Sequence, residues 1–294
     1  MRHSYLTRRG GGPGQPAWPP PLVAVAHGSR DPAAADTIAG LMHLTAARAG
    51  RAGLPGLTVR AAYLGHARPS VADVLEELAG PTPGPGGERP VVVLPLLLTE
   101  AYHSDTDLPA VLREEAARDR AGQRLGLHYG TPLGPHPGLA RALERRLAEA
   151  GVPSAPADAA RTAVVLAAAG SSRPAANEAV AAAARAWQSA RGWLRVVPAY
   201  ASAASPTPGE AVAALRRSGV RRVVVATYLL APGVFAGQVR DQALAAGAQA
   251  VSAPLGAAPE VADVLLERYL QCLPSASRAC NPMLLSNPML LSLS

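Results

Sequence analysis

Residues 22–32, LVAVAHGSRDP, decide the reading of the chain, because their pattern returns as AVVLAAAGSSRP at 163–174. A short apolar run predicts a buried strand, and the proline after the Gly-Ser turn marks the first turn of a helix. Outward from this stretch, LTVRAAYL (57–64), VVVLPLLL (91–98) and RLGLHY (124–129) are further strand-like runs. Helix-length, Ala- and Leu-rich segments lie between and after them at 32–50, 69–79, 107–121 and 137–150. The second of these opens on Pro69 and the last on Pro137, with Gly151 closing the last. VVVLPLLL does not alternate, as expected of a strand covered on both faces. Strands separated by helix-length segments predict βαβ units and a parallel sheet.

The same order then recurs. PAYASAASP (198–206) matches AAYLGHARP (61–69), and RRVVVATYLL (221–230) matches RPVVVLPLLL (89–98). Pro254-Leu255-Gly256 likewise matches Pro132-Leu133-Gly134. The offset between copies shrinks along the chain, so the second copy has shorter connections and lacks the PTPGPGGE loop of 81–88. The expectation is an α/β protein of two tandem half-domains, 22–151 and 162–271, joined by a linker at 152–161. Residues 1–21 read as a disordered tail. Residues 272–294 read as a low-complexity tail, in which NPMLLS occurs at 281–286 and again at 287–292.

Charge excludes one class of partner. The chain carries 28 Arg, no Lys and 21 acids, for a formal net charge of +7. Arg2, Arg8, Arg9 and Arg278 lie in the acid-free tails, which leaves 24 Arg against 21 acids in residues 22–273. That near balance, with aromatics at 4%, speaks against nucleic-acid binding. The Arg-containing N-terminus lacks the apolar stretch of a secretory signal. The longest apolar runs are strand-sized, well below the ~18–20 residues of a membrane span. Cys272 and Cys280 form neither a disulfide framework nor a Cys-x-x-Cys metal motif, so a reducing, cytoplasmic setting is expected.

Histidine is distributed unevenly. All seven (His3, His27, His43, His66, His103, His128 and His136) precede residue 137. In open parallel sheets, ligands bind outside the carboxyl ends of the strands. His27, His66 and His103 follow the first, second and third strands, so they can converge on one crevice. Neutral imidazole suits Fe²⁺, Co²⁺, Ni²⁺ or Zn²⁺, and it can also accept a proton near neutral pH. His43 reads as a helix-surface residue, while His128 and His136 read as packing or helix-start residues.

The motifs HGSRDP (27–32), AYLGHARPSV (62–71), VVVLPLLLTEAYHSDTDLP (91–109) and PLGPHPGLARALERRL (132–147) resemble those of the sirohydrochlorin chelatases. These are the CbiX-type class II chelatases of siroheme and cobalamin synthesis. The resemblance spans roughly 22–270 and implies two flavodoxin-like half-domains with a tetrapyrrole between them. It implies lyase-type insertion of Fe²⁺ or Co²⁺ into sirohydrochlorin, with no cofactor beyond the substrate metal. It places metal-binding and catalytic His at 27 and 103. The implied partners are sirohydrochlorin and a divalent metal, without nucleic acid or membrane, for a monomer or homodimer.

Insertion displaces two pyrrole protons, so the site must hold the metal, orient the ring and accept protons. Arg30, Arg68 and Arg173 are candidates to meet the carboxylates of the ring, and Gly28 and Ser29 lead into a helix N-terminus that attracts anions. The family often has a carboxylate after the aromatic-Leu pair of the second strand. Here Gly65 and then His66 stand there, and His66 or Glu100 is expected to take over part of that role. The second copy has Ala169 for His27 and Phe235 for His103, so it is expected to supply apolar wall and Arg contacts. The alternative is a non-catalytic tetrapyrrole- or metal-delivery protein of the same fold. A phosphohistidine enzyme is disfavoured, because Ala26 rather than Arg precedes His27-Gly28.

Overall fold

The computed structural model of the chain describes residues 19–79, 89–99, 107–118 and 125–273. The first half runs β1 (Leu22–Ala26), α1 (Pro32–Ala49), β2 (Val59–Tyr63), α2 (Val71–Ala79), β3 (Arg89–Pro95), α3 (Asp107–Ala117), β4 (Leu125–Tyr129) and α4 (Pro137–Glu149). A short helix, α5 (Pro156–Ala159), leads into the second half. That half runs β5 (Thr162–Ala168), α6 (Pro174–Arg191), β6 (Arg195–Tyr200), α7 (Pro208–Arg217), β7 (Arg222–Tyr228), α8 (Val234–Ala245), β8 (Ala250–Val251) and α9 (Pro259–Gln271). Each half forms one four-stranded parallel sheet, with strand orders β2-β1-β3-β4 and β6-β5-β7-β8.

Three local readings differ from this structure. The third strand begins at Arg89 and stops at Pro95 rather than running to Leu98. Its pairing with β1 ends at Val25↔Pro95, and the carbonyls of Leu97 and Leu98 turn to Gly134 N–H and Tyr228 Oη instead. Pro69 lies before α2 rather than opening it, because its carbonyl accepts the Tyr63 N–H at 3.0 Å and closes the β2–α2 loop. The segment expected as linker contains α5, and Val152 and Ala159 within it are buried.

Side chains alternate across each sheet and so build three cores. Leu22, Ala24 and Ala26 of β1, with Val164, Leu166 and Ala168 of β5, join one central cluster with α1, α4, α6 and α9. Val23 and Val25 face α2 and α3, while Ala163, Val165 and Ala167 face α7 and α8. Among the described residues, α1, α4, α6 and α9 therefore lie between the two sheets, with α2 and α3 outside the first sheet and α7 and α8 outside the second. The repeat-related contacts are reciprocal, as an approximate two-fold axis requires. Arg146 donates to the Leu255 carbonyl at 2.9–3.0 Å, and its counterpart Arg268 reaches the Leu133 carbonyl at 3.5 Å. Arg48–Asp263 and Arg145–Glu260, both at 2.6 Å, add ion pairs across the halves.

Candidate functional site

The site is built where β1 and β2 release the chain. After Ala26, residues His27–Arg30 lead into α1, whose start is capped by Asp31 accepting the Ala33 N–H at 3.0 Å. Ser29 Oγ accepts the Asp31 N–H at 3.1 Å, which holds the turn. The β2–α2 loop is zipped onto this turn. Leu64 N–H donates to the Ala26 carbonyl and Gly65 N–H to the His27 carbonyl, both at 3.0 Å. The fit demands glycine at 28, where φ is +95° and a Cβ would lie 1.7 Å from the Gly65 oxygen.

The zipped loops set two imidazoles side by side. His66 adopts φ 60°, a left-handed conformation uncommon outside glycine. Its ring centroid lies 6.3 Å from that of His27, edge-on, with planes at 66°. Two rings sharing one ion through N–metal bonds of about 2.0–2.1 Å have centroids roughly 5 Å apart at a tetrahedral angle and at most roughly 6.5 Å apart, so at 6.3 Å the pair would have to draw together to share a tetrahedral ion. Both residues are exposed at the carboxyl edge of the first sheet. Among the described residues no group of three metal-ligating side chains occurs. His103 and Glu100, the remaining candidates near the third strand, lie outside the described residues.

The candidate anion contacts separate. Arg30 is exposed beside the site, without an ion-pair partner among the described residues. Arg68 is 80% exposed and bonded to Asp73 at 2.7 Å. Ser70 N–H also donates to Asp73 at 2.8 Å, while Ser70 Oγ accepts the Asp73 N–H at 3.2 Å, a reciprocal cap on α2. The Ser70 backbone N–H, then Arg68 and the Ser70 hydroxyl, hold the Asp73 carboxyl at about 2. Arg68 is thus turned toward the start of its own helix. Away from the site, His136 caps α4 by accepting the Gly138 N–H at 3.0 Å, His128 lies in β4, and His43 is exposed on α1.

The second half repeats the backbone of the site without its imidazoles. Gly170 has φ +86°, and a Cβ there would lie 1.9 Å from the Ser202 oxygen. Ser202 N–H donates to the Ala169 carbonyl at 2.9 Å, and Ala203 has φ 57° where His66 has 60°. The carboxyl edges of the two sheets meet. Tyr228 Oη donates to the Leu98 carbonyl at 3.0 Å, and burial pushes its phenol far above the usual range. A Cβ on Gly233, the cap of α8, would lie 3.7 Å from Ser29 Oγ. Tyr228 and the neighbour of Phe235, Val234, were not singled out by sequence; a Tyr ending an apolar strand carries no signal of a partner 130 residues away.

The CbiX family model matches residues 21–150 and again 163–272. A sirohydrochlorin cobaltochelatase from Priestia megaterium is 28% identical over 216 residues, or 72% of this chain and 65% of that relative. The match therefore spans under two thirds of that relative's length. SirB from Bacillus subtilis with Fe³⁺ superposes with a TM-score of 0.71 at 23% identity, covering 88% of this chain and 98% of SirB. The sirohydrochlorin chelatase SirB from Bacillus subtilis subspecies spizizenii in complex with cobalt gives 0.67 at 20% identity, with the same coverage. These two structures share the fold: paired parallel sheets flanked by helices.

Proposed function

The chain belongs to the CbiX family, and on that footing we propose that it is a sirohydrochlorin chelatase, a lyase-type enzyme that inserts Fe²⁺ or Co²⁺ into sirohydrochlorin. The observation that carries the reading is the His27–His66 pair, held edge-on at the carboxyl edge of a sheet whose half matches the family over residues 21–150. The metal is a substrate here, and no further cofactor is required. One M²⁺ enters as two pyrrole N–H protons leave, so metal and ring consumed balance metallated ring and two protons released. His27 binds the metal first and, with His103, accepts protons as the ring closes on it. His66 shares the metal with His27. Gly28 and Ser29 at the start of α1, with Arg30, Arg68 and Glu100, are assigned to the substrate rim.

The 28% identical cobaltochelatase supports cobalt as one accepted ion. No helix among the described residues is long and apolar enough to cross a membrane. We assign the protein to the cytoplasm, as a monomer or homodimer acting on the free tetrapyrrole. The test is the rate of metallation of sirohydrochlorin by the purified protein with each ion. A rate no greater than the spontaneous one overturns the enzyme reading. The absence of imidazoles from the second half favours one alternative, a delivery protein that binds ring or metal without speeding insertion. That alternative predicts stoichiometric binding at the spontaneous rate.

A further inference from the structure

His66 stands at the apex of the β2–α2 loop, and the two arms of that loop are held from different sides. The incoming arm is fixed to the His27 loop, through Leu64 N–H to the Ala26 carbonyl and Gly65 N–H to that of His27. The outgoing arm is closed by the Pro69 carbonyl, which accepts the Tyr63 N–H, and is gripped by one side chain, Asp73 of α2. Asp73 Oδ2 accepts the Ser70 N–H at 2.8 Å and a guanidinium N–H of Arg68 at 2.7 Å, so it holds residues on both sides of Pro69. With the carboxyl at about 2, this grip is charged across the neutral range.

The second half shows what the ion pair is not needed for. There Ala203 replaces His66 at the apex and takes φ 57°, so the turn forms without it. Glu210 stands where Asp73 does and accepts the Thr207 N–H at 2.8 Å, a helix cap of the same kind. Ser205 stands where Arg68 does, and Glu210 has no ion-pair partner among the described residues. Turn and cap are thus common to both halves. The Arg–Asp bond is added where the apex carries an imidazole and left out where it carries a methyl group.

We infer that Asp73 is a positioning residue for His66: through Arg68 and Ser70 it steadies the outgoing arm of the loop, and with it the imidazole that shares the metal with His27. This rests on the chelatase reading for the role of His66. The rings stand 6.3 Å apart and must draw together to share a tetrahedral ion. A loop held on both arms can make that short move with little freedom left to lose on binding, which favours the ion. The hydrogen bonds of Asp73 go to Ser70 and Arg68 and to neither imidazole, so it acts through the loop.

Asp73→Asn tests it, because the amide can still accept the Ser70 N–H but gives up the charge that holds Arg68. Co²⁺ binding in the absence of sirohydrochlorin is followed by the visible absorbance of the bound ion, and steady-state metallation gives KM for each substrate. Asp73→Asn is expected to raise Kd and KM for Co²⁺ about five- to tenfold, below the cost of losing a buried partner of a metal ligand, with KM for sirohydrochlorin within about twofold of the parent. In a His66→Ala background the same substitution is expected to change Co²⁺ affinity by less than about twofold, since there is no imidazole left to position. Glu77→Gln, which removes the Arg60 ion pair of the same helix, matches the parent. Parental Co²⁺ affinity in folded Asp73→Asn overturns the inference, as does an equal loss with and without His66. Metallation by a parent whose Co²⁺ affinity is indifferent to His66→Ala overturns this inference alone. A parent that binds Co²⁺ through His66 but metallates no faster than the spontaneous rate overturns the chelatase reading alone.

Discussion

A methyl group on Gly28 would meet the Gly65 carbonyl at 1.7 Å, and φ there is +95°, so steric and conformational demands coincide at one residue. Gly65 is its opposite, because a Cβ there meets nothing within 4 Å and its φ lies outside the left-handed region. Gly28→Ala is therefore expected to cost at least about 2 kcal/mol in denaturant unfolding and to separate the two His loops. Gly65→Ala should stay within about 0.5 kcal/mol of the parent. Equal losses for the two would show that the zipped loops do not depend on Gly28. His27 was legible as a site residue because it directly follows an apolar run. The left-handed turn at His66 was not, since no glycine marks it; the closing hydrogen bonds of the loop impose it.

At the scale of elements, β1 was legible to the residue, because five apolar residues end sharply at His27. The end of β3 was not. Leu96–Leu98 look like strand, but the pairing partner has run out; the Leu97 carbonyl turns to Gly134 within the same half, and that of Leu98 serves the junction between halves. Caps show the same limit: Asp73 binds back to Ser70 and Arg68, a contact that spacing suggests but geometry decides. Its folded carboxyl lies at about 2, below the ordinary value of about 3.9. A depressed carboxyl stabilises the folded state above its unfolded value, and that contribution is lost as pH falls through the folded one. Asp73→Asn should thus be less stable than the parent at pH 6 and should converge with it between about pH 4 and 2. Melting curves across that range check it, and a gap that persists at pH 2 would argue for another cause.

For the whole molecule, the repeat in sequence foretold two similar sheets, while the shared central core and reciprocal Arg146 and Arg268 contacts needed coordinates. Patterns along one chain say which face is apolar, not which distant face it meets. Tyr228 ties the halves at their carboxyl edges. Tyr228→Phe strands the Leu98 carbonyl and should cost about 1–2 kcal/mol in denaturant unfolding; an unchanged midpoint would mean that this contact does not hold the junction. The same edge carries the chemistry assigned to the molecule. The decisive measurement is the rate at which His27→Ala metallates sirohydrochlorin, with Fe²⁺ and with Co²⁺, beside the parent protein. Because His27 is exposed, its replacement should leave the melting temperature in place while the rate falls at least about a hundredfold with both ions. Full activity in a folded His27→Ala protein would contradict a metal or proton role for the His loop.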